Sequence, residues 1–414
     1  MEQSLGRNHT DSKYFNRALI LRLILNQGPV SRLTLARQTG LSPAALTVLT
    51  GALLEEGLLI ELEDERDTFD APKVGRRSVP LDLNTYVGLA LGIHITPRMV
   101  RVGLVDLKGQ IVDQERLGAP GENPTQTLER IVSSAHDLMI RNDRQVMGVG
   151  VGAVGVVDRE QGVNLRALSI HWQNVPIKAE LEARLGLPVQ IDNNVRGMTL
   201  AELLFGHGRT HNFKNIGLVY IGTGVGGGIV IDGELYWGSG AAAGEIGHMI
   251  IDRNGPICYC GAQGCVEQFA GEAAMLNAAQ QAAQAPGLLN ELAQGDPSQV
   301  TIEFLMEAAQ QGDTAALQIV KRAGQATGLA VANIYRVLNP DTVIVAGRIT
   351  RLPVFLEAVQ AEAGRSGIAP GADLSVTSSS LGDNIGLVGA AALALREFLF
   401  TPRPLKISGV KTQF

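Results

Sequence analysis

Residues 215–224 read Asn-Ile-Gly-Leu-Val-Tyr-Ile-Gly-Thr-Gly. Residues 226–232 follow as Gly-Gly-Gly-Ile-Val-Ile-Asp, the chain turns at Asp232-Gly233, and 234–238 continue as Glu-Leu-Tyr-Trp-Gly. Short β-branched runs punctuated by Gly and Asp-Gly spell strand, loop, strand, turn, strand. The same layout begins earlier, at Tyr86. YVGLALGIHI (86–95) and MVRVGLVDL (99–107) are followed by a turn at 106–109 and a third extended run at 110–115. Helical periodicity fills the segments 125–141, 178–185, 199–205, 273–285, 301–311 and 313–338. Two copies of one hairpin layout separated by helices predict a duplicated α/β fold with two lobes and a cleft between the halves.

The whole chain supports that scale. It has 414 residues, 45% of them apolar and 18% charged, with 49 Gly. That length predicts two or three domains with a sizeable core, and it excludes a largely disordered chain. An aromatic share of 4% argues against a nucleic-acid surface built on stacked rings. No apolar run is long enough to span a bilayer, and residues 1–18 lack a signal-like apolar core, so the expected location is the cytoplasm, away from any membrane.

Charge separates the first eighty residues from the rest. Residues 1–54 carry six Lys/Arg against two acids, residues 55–70 carry eight acids against one Arg, and residues 71–80 carry Lys73, Arg76 and Arg77 with no acid. Tyr14, Ala18, Leu21 and Leu25 share one face of a first helix, which Gly28-Pro29 ends. Ser31 caps a second helix that Gly40 closes. Ser42 caps a third, with Pro43 in its first turn and Leu46, Leu49 and Leu53 on one side. Two strands at 58–63 and 78–83 complete a winged helix-turn-helix. Its predicted DNA contacts are Ser42, Ala44, Thr47 and Val48 on the third helix, suited to thymine methyls and hydroxyl hydrogen bonds. Arg76 and Arg77 at the wing tip would reach phosphates or a narrow minor groove. A module that serves only dimerisation or packing is the alternative.

Every cysteine of the chain lies in one short stretch. Gly244-Glu245-Ile246-Gly247-His248 precedes Cys258-Tyr259-Cys260-Gly261-Ala262-Gln263-Gly264-Cys265-Val266-Glu267. Three thiolates and one imidazole, His248 with Cys258, Cys260 and Cys265, complete a tetrahedral Zn2+ shell. No position is left for water, so the ion is expected to be structural. Three reduced buried cysteines beside an unrelated histidine are the alternative.

With these motifs the chain resembles the ROK family of repressors and sugar kinases along essentially its whole length. The resemblance implies an α/β, two-lobed actin/hexokinase-like (ribonuclease H-like) domain behind an N-terminal winged helix-turn-helix. The expected boundaries are 1–83 for the DNA-binding module, 84–193 for a first lobe rejoined by the helix 385–399, and 194–384 for a second lobe with the metal motif. It also implies that Glu245, His248 and Glu267 contact a sugar.

Against the family's kinases two departures stand out. His94 occupies the position of an Asp, and Thr96-Pro97-Arg98 replaces a Gly-Gly-Thr run that brings backbone N–H groups to phosphate. Asp192-Asn193-Asn194 replaces Glu-Asn-Asp, so Asn194 stands where the proton-accepting Asp would be. General-base loss removes about 10²–10⁴ in rate. Asp192 would be a substitute only if the strand ran on to Asn194 and put both on one face. The glycine-rich turn 222–228 survives, and Arg348 follows the strand 343–347 where many of these kinases have another glycine.

The expectation is a regulator rather than an enzyme. Asn193, Asn194, Glu245, His248 and Glu267 would hold a monosaccharide effector, and its occupancy would alter binding to a double-stranded operator by a homodimer or homotetramer, most plainly a repressor. A sugar kinase fused to a DNA-binding module, and a regulator governed by a protein partner, remain the alternatives.

Overall fold

A computed structural model describes residues 9–62, 79–240, 242–366 and 374–401. The chain divides into two compact units, one of residues 1–197 with 386–414 and one of residues 198–385.

The first unit opens with α1 (His9–Gln27), β1 (Val30–Ser31), α2 (Arg32–Thr39), α3 (Pro43–Glu55), β2 (Leu59–Glu61) and β3 (Pro80–Leu83). Local chemistry sets these bounds. Ser31 accepts from Thr34 N and Ser42 accepts from Ala45 N, while Gly40 ends α2 with φ 68°. The three strands form one sheet in the order β1-β3-β2. β1 has only two residues, too few for a periodic signal, and it exists because Val30 and Ser31 pair with Leu81 and Pro80 far along the chain. On α3 the buried line is Leu46, Thr50 and Leu53, with Leu49 only half-buried. Thr50 replaces the expected leucine because its hydroxyl is satisfied: it donates to Leu46 O at 2.9 Å and accepts from Arg32 Nε at 3.1 Å. The wing tip with Arg76 and Arg77 lies outside the described residues.

The same unit continues with β4 (Leu89–Ile95), β5 (Val100–Val105), β6 (Ile111–Arg116), α4 (Pro124–Asn142) and β7 (Val146–Ala153). A small antiparallel sheet of β8 (Val156–Asp158), β9 (Val163–Ala167) and β10 (Trp172–Val175) follows, then α5 (Ile177–Leu185), β11 (Val189–Asn193) and the start of α6 (Asn194–Phe205). The main sheet runs β11-β7-β4-β5-β6. β4, β5 and β7 are buried at every position, which is why they read as continuous apolar runs rather than as alternation.

The second unit holds α7 (His207–His211), β12 (Ile216–Ile221), β13 (Val225–Ile231), β14 (Glu234–Leu235), α8 (Glu267–Ala270), α9 (Glu272–Ala282), α10 (Leu288–Leu292), α11 (Ile302–Gln310), α12 (Thr314–Leu338), β15 (Thr342–Ala346), α13 (Pro353–Arg365) and β16 (Val376–Ser378). Its sheet runs β14-β13-β12-β15-β16. The first three strands are antiparallel and the last two join in parallel, as in the first unit. The hairpin repeat in the sequence is therefore a repeat of a whole five-stranded topology.

The chain returns to the first unit as α14 (Ile385–Leu395) and a π-helical turn at Arg396–Phe400. Small residues let α14 lie directly on the sheet: a Cβ on Gly150 would stand 1.8 Å from Ala390 O. Beyond it, Arg22 Nε of α1 donates to Phe400 O at 2.9 Å, which ties the N-terminal module to the end of this helix. No helix among the described residues is long and apolar enough to cross a membrane.

Candidate functional site

In the second unit the stretch after β13 makes a 3-10 turn at Ile246–His248 and then folds back on itself through bridges between Ile250 and Cys265 and between Ile257 and Gln263. Glycine is required at the fold-back. Gly261 and Gly264 have φ 91° and 78°, and a Cβ on Gly264 would stand 1.5 Å from Asp252 O. Cys258 N donates to Ala262 O at 2.8 Å and Gly264 N to Pro256 O at 2.8 Å, which fixes the loop.

The fold-back gathers His248, Cys258, Cys260 and Cys265, whose ligand atoms lie within 4.8 Å of one another. Cys258 Sγ is 3.6 Å from His248 Nδ1, and Cys260 Sγ is 3.7 Å from Cys265 Sγ. Burial, followed by hydrogen bonds to the Cys260 and Cys258 sulfurs, pushes the Cys265 thiol up to about 12. Three crowded sulfurs repel a second and third negative charge, and a cation among them reverses that cost. The cluster can hold a metal ion.

With Nδ1 turned to Cys258, the other ring nitrogen of His248 faces away from the sulfurs. Nε2 stands 3.3 Å from the Tyr259 hydroxyl, and the two rings meet edge to face at 5.3 Å. Burial, then the charges of Glu267 and Cys258 and a hydrogen bond to Glu267, raise the Tyr259 phenol above its ordinary range; Glu245 adds to the shift. Glu267 opens α8, and its Oε2 accepts from Val225 N at 2.8 Å. The space for that carboxylate exists because Gly224 has no side chain: a Cβ there would lie 2.4 Å from Oε2. His248 thus contacts Tyr259, and the charges of Glu267 and Glu245 act on its phenol. Sequence reasoning missed Tyr259, because helix or strand periodicity says nothing about a loop position between two of the clustered cysteines.

Asn193 and Asn194 belong to the first unit, at the end of β11 and the start of α6. Asn193 Nδ2 donates to Gly155 O at 3.0 Å and its Oδ1 accepts from Val195 N at 2.9 Å. Asn194 is buried, and its Oδ1 also accepts from Val195 N. The strand stops at Asn193, so Asp192 and Asn194 do not share a strand face. Asp192 is buried against Arg196 instead.

The loop after β4 closes on itself. Thr96 N and its hydroxyl both donate to Met99 O, at 3.0 and 2.8 Å, and Met99 N donates to Thr96 Oγ1 at 3.2 Å. Pro97 has no N–H to offer. His94, beside this loop, is 6% exposed, and its Nε2 has no hydrogen-bond partner. Burial, then the nearby Arg101 charge, lowers its pKa to about 3, so the ring is neutral. In the second unit the glycine-rich turn is tied through Gly222 O to the N–H of Glu272 at 2.9 Å. Arg348 grips the buried Glu272 carboxylate with Nε at 2.6 Å and Nη2 at 3.2 Å and also pairs with Glu303. Sequence reasoning missed this ion cluster, because nothing local links residues 272, 303 and 348.

On α3, Ala44, Thr47 and Val48 are exposed, with Val48 72% accessible, and the capping residue Ser42 is exposed beside them. The Thr47 hydroxyl donates to Pro43 O at 2.8 Å, so it is left to act as an acceptor.

A family model described as "ROK family" matches residues 90–397. The N-acetylglucosamine repressor of Escherichia coli O6:H1 is 30% identical over 398 residues, covering 94% of each chain. A solved ROK family transcriptional regulator, a homolog of the E. coli MLC protein, is 26% identical with a TM-score of 0.78, over 93% of this chain and 96% of that one. A ROK family glucokinase from Streptomyces griseus, solved with glucose and AMPPNP, is 30% identical with a TM-score of 0.68, over 75% of this chain and 100% of its own.

Proposed function

The chain belongs to the ROK family, with an actin/hexokinase-like domain of two matching sheets behind a winged helix-turn-helix, and from that premise we propose that it is a sugar-responsive transcriptional regulator, a repressor that binds a double-stranded operator. One observation carries the reading. An exposed α3 face suited to a major groove is joined to a family domain whose phosphoryl-transfer groups are replaced. Asn194 stands in place of the base, and the loop at Thr96 satisfies its own polar groups. The similarity to a repressor and a regulator over nearly the full chain favours this reading, since the glucokinase likeness covers only 75% of it.

We assign effector binding to Glu245, His248 and Glu267 of the second unit, and assign sugar hydrogen bonds to Asn193 and Asn194 of the first. Carboxylates accept from vicinal hydroxyls, and an imidazole N–H donates to them. DNA contact falls to Ser42, Ala44, Thr47 and Val48, with Arg76 and Arg77 on phosphate or the minor groove. Two-fold operators and half-sites about one helical turn apart fit a homodimer or a homotetramer. A coupling of about 1–3 kcal/mol gives roughly 5–150-fold control of operator affinity.

The ion assigned to the cluster is zinc. Tetrahedral bonds of about 2.3 Å to sulfur and 2.0–2.1 Å to nitrogen give edges of roughly 3.8 Å between sulfurs and 3.6 Å from sulfur to nitrogen. The separations of 3.7 Å for Cys260–Cys265 and 3.6 Å for Cys258–His248 fit those edges. Zinc here would be structural, and it would fix the His248 ring so that Nε2 carries the proton and donates.

The decisive experiment selects operator fragments from genomic DNA with the full chain and titrates a sugar and sugar-phosphate panel into the complex. A shift in operator affinity by one or more members is expected. No shift across the panel defeats the regulator reading. Fast ADP release with sugar and ATP would favour a kinase instead.

A further inference from the structure

We propose that the Tyr259 phenol is a built-in stand-in for a sugar hydroxyl, occupying the hydrogen-bonding position between His248 and Glu267 until an effector displaces it. The inference rests on the sugar-binding reading of these two residues. Tyr259 Oη lies 3.3 Å from His248 Nε2, and the Glu267 carboxylate is near enough for its charge to raise the phenol. When Nδ1 faces the metal cluster the proton sits on Nε2, so Nε2–H donates to the phenol oxygen and leaves the phenol O–H to turn towards the neighbouring Glu267 carboxylate. A sugar hydroxyl has the same complement, one donor and an acceptor oxygen, and fits the same two partners.

Displacement is inexpensive for three reasons. The side chain is 66% exposed, so little packing is lost when it swings away. Its backbone is held between Cys258 and Cys260, so only side-chain torsions need change. Glu267 stays in place meanwhile, because Val225 N holds its Oε2. The vacated partners then accept the incoming hydroxyl without reorganising. The physical consequence is competition. Effector binds only the fraction of molecules in which the phenol has left, so apparent affinity falls by that fraction. Tyr259 thereby sets the sugar concentration at which the site fills.

The test is calorimetric titration of the zinc-loaded full chain with D-glucose and N-acetyl-D-glucosamine as probes, comparing wild type with Tyr259→Phe. Losing a hydrogen bond of ordinary net strength predicts about 3–10-fold tighter binding in the variant at unchanged zinc content. Tyr259→Ala, which also removes the ring, is expected to tighten binding comparably. Equal or weaker affinity in Tyr259→Phe, while wild type binds, overturns the stand-in and leaves the sugar reading intact. Loss of binding in Tyr259→Ala alone marks the ring as a contact surface and likewise overturns it. Absence of binding by every protein to both probes defeats the reading of the site and this inference together.

Discussion

Arg196 Nε stands 2.7 Å from Asp192 Oδ1, one helical turn away, and both side chains are buried. The carboxylate also accepts from Asn193 N at 2.7 Å. Asp192 therefore holds the junction of β11 and α6. Asp192→Asn removes the carboxylate that faces the buried Arg196 guanidinium and is expected to cost about 3–5 kcal/mol. A urea midpoint unchanged from wild type would show that the pair is not a structural anchor.

His94 gives the protein a specific acid sensitivity. Its folded pKa of about 3 lies below the ordinary 6.5, because burial and Arg101 disfavour the imidazolium. Above about pH 6.5 the ring is neutral in both states and contributes no pH dependence. As pH falls from 6.5 towards 3, the unfolded chain takes up a proton that the folded one refuses, and stability drops by up to about 4 kcal/mol. His94→Gln should flatten the stability profile between pH 6 and 4. Parallel profiles for wild type and variant would reject this cause.

The cysteine cluster predicts a metal-dependent second unit. Cys260→Ser removes one of four donors and should weaken zinc binding by at least about 10-fold. The melting temperature should fall by several degrees, and chelation of the wild type should have the same effect. Stoichiometric zinc in the variant by mass spectrometry would exclude Cys260 as a ligand.

Arg348 is expected to be a structural cation. Burial opposes its charge, but hydrogen bonds and attraction from Glu272, and then from Glu303, outweigh that and hold the guanidinium above its ordinary value. Arg348→Ala removes the guanidinium paired with the buried Glu272 carboxylate at the start of α9 and should destabilise by about 3 kcal/mol. Replacing both Arg348 and Glu272 with apolar residues should recover much of the loss. Equal stability of the single and double variants would argue against a paired interaction.

The proposed DNA contacts predict separable specific and non-specific effects. Val48→Asp places a charge on the exposed side of α3 and should weaken operator binding by 10-fold or more, at about 1.4 kcal/mol per decade, without changing the melting temperature. Arg76→Ala with Arg77→Ala should weaken all DNA binding and reduce its salt slope by roughly 2. Anisotropy titrations at several salt concentrations read both effects, and an unaltered slope would remove the wing arginines from phosphate contact.

Much of this organisation is local and hence legible from residue order. Ser31, Gly40, Ser42 and Pro43 act within one turn, so they mark helix ends wherever the helices go. The hairpin layout at 86–115 recurs at 215–238 because each strand's pattern is set by its own neighbours. The metal motif is equally local, since the three cysteines span one fold-back and only His248 lies outside it. Thr50 was harder to read, because a hydroxyl becomes a core residue only when a distant Arg32 and its own helix satisfy it.

Residue order alone determined the capped helices, the repeated strands and the clustering of the three cysteines, for each depends on side chains close in the chain. Tertiary structure alone decided that Asp192 pairs with Arg196, that Arg348 locks Glu272, and that the Tyr259 hydroxyl reaches His248. Ion pairs and hydrogen bonds depend on distances of a few ångströms and on burial. Only the folded backbone fixes those quantities, because it brings together residues as far apart as 272 and 348.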